Sequence, residues 1–210
     1  MNEPPGSAAF TIGAIEPFHR SRIAEILRST ENFREEEVDV ALEVFDASFG
    51  GDTDYLLLGA FSGLGTRHWE LGREAATTAE ASSASGASGP RPLSRVPSPQ
   101  LVGFAIYGPT MGTDRTYDLY WIAVDRSAQG TGCGSVLLSE VERRLEALHA
   151  RMLVIETSSR SDYAATRTFY LRRGYVEAAR VREFYARHDD RIILTKRLAG
   201  SPREGWGAVA

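Results

Sequence analysis

The sequence predicts an α/β fold, a mixed sheet of about seven strands flanked by about four helices. Three observations carry this reading. Short runs rich in apolar, β-branched and aromatic residues recur at 10–15, 55–60, 100–107, 117–124, 152–157, 175–183 and 191–197. Between them, 17–29, 35–49, 132–149 and 162–173 repeat their apolar residues with a helical period. Strand-helix-strand steps in the second half then require at least one parallel pair within the sheet.

The elements follow from caps and periods. In the first helix Ile23, Ile26 and Leu27 share a face; in the second Val38, Leu42 and Phe45 do, and Glu35, Glu36 and Glu37 occupy its first turn, where carboxylates suit the positive end of the helix dipole. The run 117–124 reads as a buried strand. The helix 132–149 turns Leu137, Val141, Leu145 and Leu148 inward. The helix 162–173 is capped by Ser161 or Asp162 and stops where Arg172 and Arg173 precede Gly174.

With 210 residues, 42% hydrophobic and 10% aromatic, the chain can bury the core of one domain, expected over 10–198, with tails at 1–9 and 199–210. Residues 72–99 are nearly all Ala, Ser, Gly, Thr and Pro, a composition that buries too little surface to offset ordering, so they read as a disordered insertion. Its flanks, 55–60 and 100–107, read as neighbouring antiparallel strands joined by an overgrown hairpin loop. Closure entropy grows only logarithmically with loop length, so the fold tolerates it.

A net charge of −4 and a pI near 5.7 give no basic stripe for a nucleic-acid backbone. One cysteine, Cys133, excludes an intrachain disulfide, and four scattered histidines form no metal cluster, so no metal is expected. No apolar stretch is long enough to span a membrane and the first twenty residues lack a leader pattern; a cytoplasmic protein is expected.

The chemistry concentrates at 124–135, a strand end, a glycine-rich turn and a helix start. Gly130, Gly132 and Gly134 let the backbone approach an anion, and the first-turn N–H groups can hold a pyrophosphate. There is no P-loop lysine, and Ser135 breaks the dinucleotide fingerprint. A phenol such as that of Tyr170 stays protonated at neutral pH and can act as a proton donor.

Gln129-x-x-Gly132-x-Gly134, followed by Phe169-Tyr170-Leu171-Arg172-Arg173-Gly174-Tyr175, resembles the GNAT superfamily of N-acetyltransferases over about 10–198. The resemblance implies the GNAT fold, with a mixed, mostly antiparallel sheet, and transfer of acetyl from acetyl-CoA to a primary amine in a ternary complex. It implies CoA pyrophosphate binding by Gln129, Gly130, Thr131, Gly132, Cys133, Gly134 and Ser135. An amide near Ile122 or Val124 would polarise the thioester carbonyl, and Tyr170 would protonate the thiolate. Tyr163 stands where the family often has an asparagine on the cofactor-binding helix.

An ammonium must lose a proton before it attacks, so a base or water relay is needed. Asp118 leads the candidates, on the strand entering the glycine turn, with Glu156 at the end of the next strand as the second. Tyr117, Tyr120 and Trp121 around Asp118, with Asp189 and Asp190 in the expected last turn, would attract a cationic amine. Cys133 reads as a small turn residue, not a nucleophile. A non-catalytic acyl-CoA sensor or a protein-interaction module remains an alternative, and neither the acceptor nor a homodimer is decided by the sequence.

Overall fold

A computed structural model describes residues 10–51, 54–63 and 99–199. Seven strands form one sheet in the order β1-β2-β3-β4-β5-β7-β6. They are β1 (Thr11–Gly13), β2 (Leu56–Ser62), β3 (Gln100–Pro109), β4 (Thr116–Val124), β5 (Met152–Ser158), β6 (Val176–Ala186) and β7 (Asp189–Arg197). Only β4 and β5 run parallel; the other pairings are antiparallel.

Helices α1 (Arg20–Ser29) and α2 (Glu35–Ala47) cover one face of the sheet. Helices α3 (Cys133–Ala147) and α4 (Ala164–Leu171) cover the other. Ile23, Ile26, Leu27, Val38 and Phe45 are buried against Phe104, Ile106 and Ala123. Leu137, Val141 and Leu145 of α3 pack on Val102, Ala105, Leu153 and Ile155. The α3 backbone comes close to β3 because residue 103 is glycine: a Cβ there would lie 3.0 Å from Leu137 and 3.2 Å from Cys133 Sγ.

Ser62 pairs with Gln100, so the antiparallel neighbours expected on either side of the insertion are present; residues 72–98 of it, the tail 1–9 and all of the tail 199–210 but Ala199 lie outside the described residues. Four details differ from the sequence reading. Leu148 follows the end of α3 and is exposed, because the helix stops one residue short of it. The helix expected from 162 opens as a 3-10 turn, Ser161–Tyr163, before α4, and neither Ser161 nor Asp162 caps it; Asp162 is ion-paired with Arg160 at 2.7 Å instead. The expected buried strand β4 is buried only at Thr116, Leu119 and Ala123; Tyr120 is exposed and the rest are half-buried. Asp189 and Asp190 begin β7, the turn being Arg187 and His188, the latter at φ 65°.

Among the described residues no helix is long and apolar enough to cross a membrane.

Candidate functional site

β4 and β5 pair only from Thr116–Leu119 against Met152–Ile155. Beyond that β4 stays with β3 and β5 with β7, and the sheet opens between them. Tyr120 marks the parting. Leu119 opposes Tyr107 and Trp121 opposes Ile106, so Tyr120 is an extra residue, a bulge that bends β4 and re-aims the side chains after it. The opening is a cleft of about 660 Å³ whose lining includes Ile122 on β4, Glu156 and Thr157 on β5, Tyr163 and Tyr170 at α4, Glu37 on α2, and Asp189.

The main chain of β4 contributes directly. Asp125 N–H bonds Val102 C=O at 2.8 Å, and bonded pairs alternate along an antiparallel ladder. Ala123 and Trp121 therefore also bond β3, while Ile122 and Val124 turn their N–H and C=O groups toward the cleft. Gln129 Nε2 donates to the Val124 carbonyl at 3.2 Å.

The glycine-rich turn follows the end of β4 and leads into α3. Asp125 starts it, accepting from Ser127 N–H at 2.9 Å and from Arg22 Nη2 at 2.7 Å. The Ser127 hydroxyl, then its backbone N–H and Arg22, hold the Asp125 carboxyl below its usual range. Gly130 and Gly132 take φ of 75° and 93°, a left-handed path that side chains resist. Gly132 caps α3 without a side chain, and the first intrahelical bond is Val136 N–H to Gly132 C=O at 3.1 Å. The N–H groups of Cys133, Gly134 and Ser135 precede that bond and can accept an anion. Arg173 adds positive charge at this helix end: its guanidinium lies 3.7 Å over the Phe169 ring, donates to Ser135 Oγ, and bonds Phe169 C=O at 2.8 Å. In the sequence Arg173 marks only a helix end, because its partner Ser135 is 38 positions away. Cys133 is buried, which pushes its thiol up to about 11 and leaves it unreactive.

Tyr170 is buried, its ring 5.2 Å from Phe169 and 5.6 Å from Tyr175. Burial raises its phenol above the ordinary value, and among the described residues no side chain hydrogen-bonds its hydroxyl. Burial also lifts Tyr163 to about 12, with Glu37 the next cause; Tyr163 Oη donates to Asn32 C=O at 3.1 Å.

The structure separates the two candidate carboxylates. Glu156 lines the cleft and is ion-paired with Arg191. Asp118 lies ahead of the bulge, outside the cleft lining, and accepts from Thr110 Oγ1 at 2.7 Å. Its charge acts on Tyr120, which lines the cleft and whose phenol is raised by burial and then by Asp118. Asp189 is buried and accepts from Ser158 Oγ at 2.5 Å; burial, then Asp189 and Glu37, raise the Tyr185 phenol, so two carboxylates and two tyrosines meet at one wall. Asp190 instead pairs with Arg180 at 3.0 Å, away from that wall. Among the described residues no group of three or more His, Cys, Asp or Glu could hold a metal ion.

The strand pair thus parts beside a buried phenol, and β4 runs on into a glycine turn and a helix N-terminus that no side chain caps. The family described as acetyltransferase (GNAT) domain matches residues 98–177. A Desulfovibrio desulfuricans protein assigned to the GNAT family of acetyltransferases is 31% identical, with 91% of this chain and all of that one covered and a TM-score of 0.70. The chain therefore belongs to the GNAT family of acetyltransferases. The Escherichia coli ribosomal-protein-S18-alanine N-acetyltransferase shares the fold at 19% identity, with 95% of this chain and 100% of that one covered and a TM-score of 0.62. So does a Salmonella typhimurium protein solved with its cofactor acetyl-CoA, at 17% identity, 95% and 99% coverage and a TM-score of 0.59. No curated protein matches the chain in sequence.

Proposed function

We propose that this protein transfers the acetyl group of acetyl-CoA directly to a primary amine in a ternary complex. The observation that supports this best is that β4 parts from β5 at a cleft lined by a buried phenol with no side-chain partner among the described residues, and then runs directly into an anion-accepting helix end. The turn 129–135 takes the CoA pyrophosphate, and the pantetheine arm runs between β4 and β5 past Tyr163. The Ile122 or Val124 amide polarises the thioester carbonyl, where a fixed dipole in a dry cleft stabilises the developing oxyanion.

The amine nitrogen attacks the carbonyl carbon, forming C–N as C–S breaks, and Tyr170 gives its proton to the departing sulfur. Holding both reactants in place removes much of the entropic barrier, so no acyl-enzyme is needed. Glu156, the candidate carboxylate that faces the cleft, accepts the amine proton directly or through one water. Asp118 is the alternative base, acting by way of Tyr120. Glu37, Asp189, Tyr120 and Tyr185 favour a cationic acceptor. The catalytic unit is 10–198, working in the cytoplasm.

The test is release of free CoA from acetyl-CoA with a panel of amines, run from about pH 6 to 10. Amine-dependent release supports transfer. Tight acetyl-CoA binding with no release for any amine supports a sensor instead. Glu156→Gln should lose rate most at low pH, where the amine is protonated; a deficit equal at every pH would make Glu156 a substrate-positioning group.

A further inference from the structure

Among the described residues, two buried side-chain polar atoms lack a hydrogen-bond partner: Thr157 Oγ1 and Arg191 Nε. A buried, unbonded hydroxyl is unfavourable, and native folds rarely retain one without a use. Thr157 is only 6% exposed. A valine would give the strand the same branched shape with nothing left unbonded, so strand propensity does not account for the hydroxyl.

Its position does. Leu153, Ile155 and Thr157 lie on one face of β5, the face beneath α3 and α4. Leu153 and Ile155 sit where β4 and β5 are still paired, and they fill the core. At Thr157 the strands have parted, and its side chain borders the cleft along with Thr166 and Tyr170. Two hydroxyls without side-chain partners, Thr157 and Tyr170, thus share one wall. The Thr157 hydroxyl needs a hydrogen-bonding partner that no group among the described residues supplies.

An acyl-CoA brings such partners in its pantetheine arm, which carries two amides and the thioester, all uncharged carbonyl acceptors. We propose that Thr157 is a positioning residue whose hydroxyl donates to a carbonyl of that arm and so fixes the thioester against Tyr170. This rests on the reading that acyl-CoA occupies the cleft.

The experiment measures calorimetric affinity for acetyl-CoA and for 3′,5′-ADP, which lacks the arm, alongside the thermal midpoint of the ligand-free protein, for wild type, Thr157→Val and Thr157→Ser. Thr157→Val should weaken acetyl-CoA about 3- to 10-fold, the scale of one net hydrogen bond. It should leave 3′,5′-ADP unchanged and the ligand-free midpoint equal or higher, because an unbonded hydroxyl has been removed. Thr157→Ser should bind as wild type. Unchanged acetyl-CoA affinity in Thr157→Val overturns the proposal, and so does equal weakening of both ligands. A lowered midpoint, or a Val variant that does not fold, overturns it as well, since the hydroxyl would then be structural. Failure of wild type to bind acetyl-CoA at all would instead sink the underlying cleft reading, and is seen before any variant is compared.

Discussion

Two tyrosines 5.6 Å apart should respond to the same substitution in opposite ways. Tyr170 Oη has no side-chain partner among the described residues, whereas Tyr175 Oη donates to Glu142 Oε1 at 2.9 Å and Glu142 also accepts from Lys196 at 2.7 Å. Tyr175→Phe breaks a buried bond to a charged acceptor and should cost about 1.5–3 kcal/mol. For a domain of this size that lowers the thermal midpoint by about 3–12 °C. Tyr170→Phe removes a hydroxyl that bonds no side chain, so the midpoint should move by less than about 2 °C. Activity should divide the other way. As the proposed acid, Tyr170 should lose turnover by about 10²-fold on substitution while keeping acetyl-CoA affinity, and Tyr175→Phe should turn over normally at temperatures where it is folded. The assay pairs calorimetric melting with steady-state CoA release under conditions where chemistry limits the rate. Wild-type turnover in Tyr170→Phe would refute the acid assignment. A stability loss in Tyr170→Phe matching that of Tyr175→Phe would show that its hydroxyl is bonded within the protein after all.

Three further outcomes are expected. Replacing 73–97 with a short Gly/Ser loop should leave cooperative unfolding intact and the midpoint within about 2 °C, because Ser62 and Gln100 are paired and loop closure depends weakly on length; loss of cooperativity would make the segment part of the core. Gly132→Ala forces a side chain into φ 93° and should weaken acetyl-CoA by more than about 10-fold, whereas Gly134→Ala, whose methyl would sit at an ordinary 3.6 Å from Phe169 and Val124, should bind within about 2-fold of wild type, both measured by calorimetry. Hydrogen bonds from Arg143 and then Arg144 draw the Glu140 carboxyl down to about 2 from 4.5. A depressed carboxyl stabilises the fold above its unfolded value and stops doing so as pH falls through the folded one, so Glu140→Gln should lower the midpoint at pH 7 by an amount that shrinks steadily as pH falls from about 4.5 toward 2, as melts across that range would show.

The buried faces of α1 and α2 and the order of the elements were legible because they are local: period, first-turn carboxylates and glycine stops act within a few residues. The cleft was not, since it arises from where a parallel pairing stops. Asp118 was placed on the right strand, but a single bulged residue, Tyr120, separates the part of β4 that is paired on both edges from the part that borders the cleft, and no alternation of apolar residues announces it. Asp189 and Asp190 were assigned to a turn on the general habit of aspartate, yet Arg187 and His188 make the turn and Asp189 is buried under Ser158. Ser161 and Asp162 have good capping chemistry, but Arg160 claims Asp162 first. Thr157 gave no signal at all, for an unpartnered hydroxyl can be recognised only once its neighbours are known.

The left-handed bends at Gly130 and Gly132 have a consequence for descent. A site composed of main-chain amides is inherited as a bend in the chain and not as a roster of side chains. Drift at Thr131 or Ile122 can then proceed while the amide geometry persists, provided the two bends keep residues that tolerate positive φ. Chains that agree with this one at fewer than a fifth of their positions still share its fold, and a bend of this kind is what so much substitution would leave untouched.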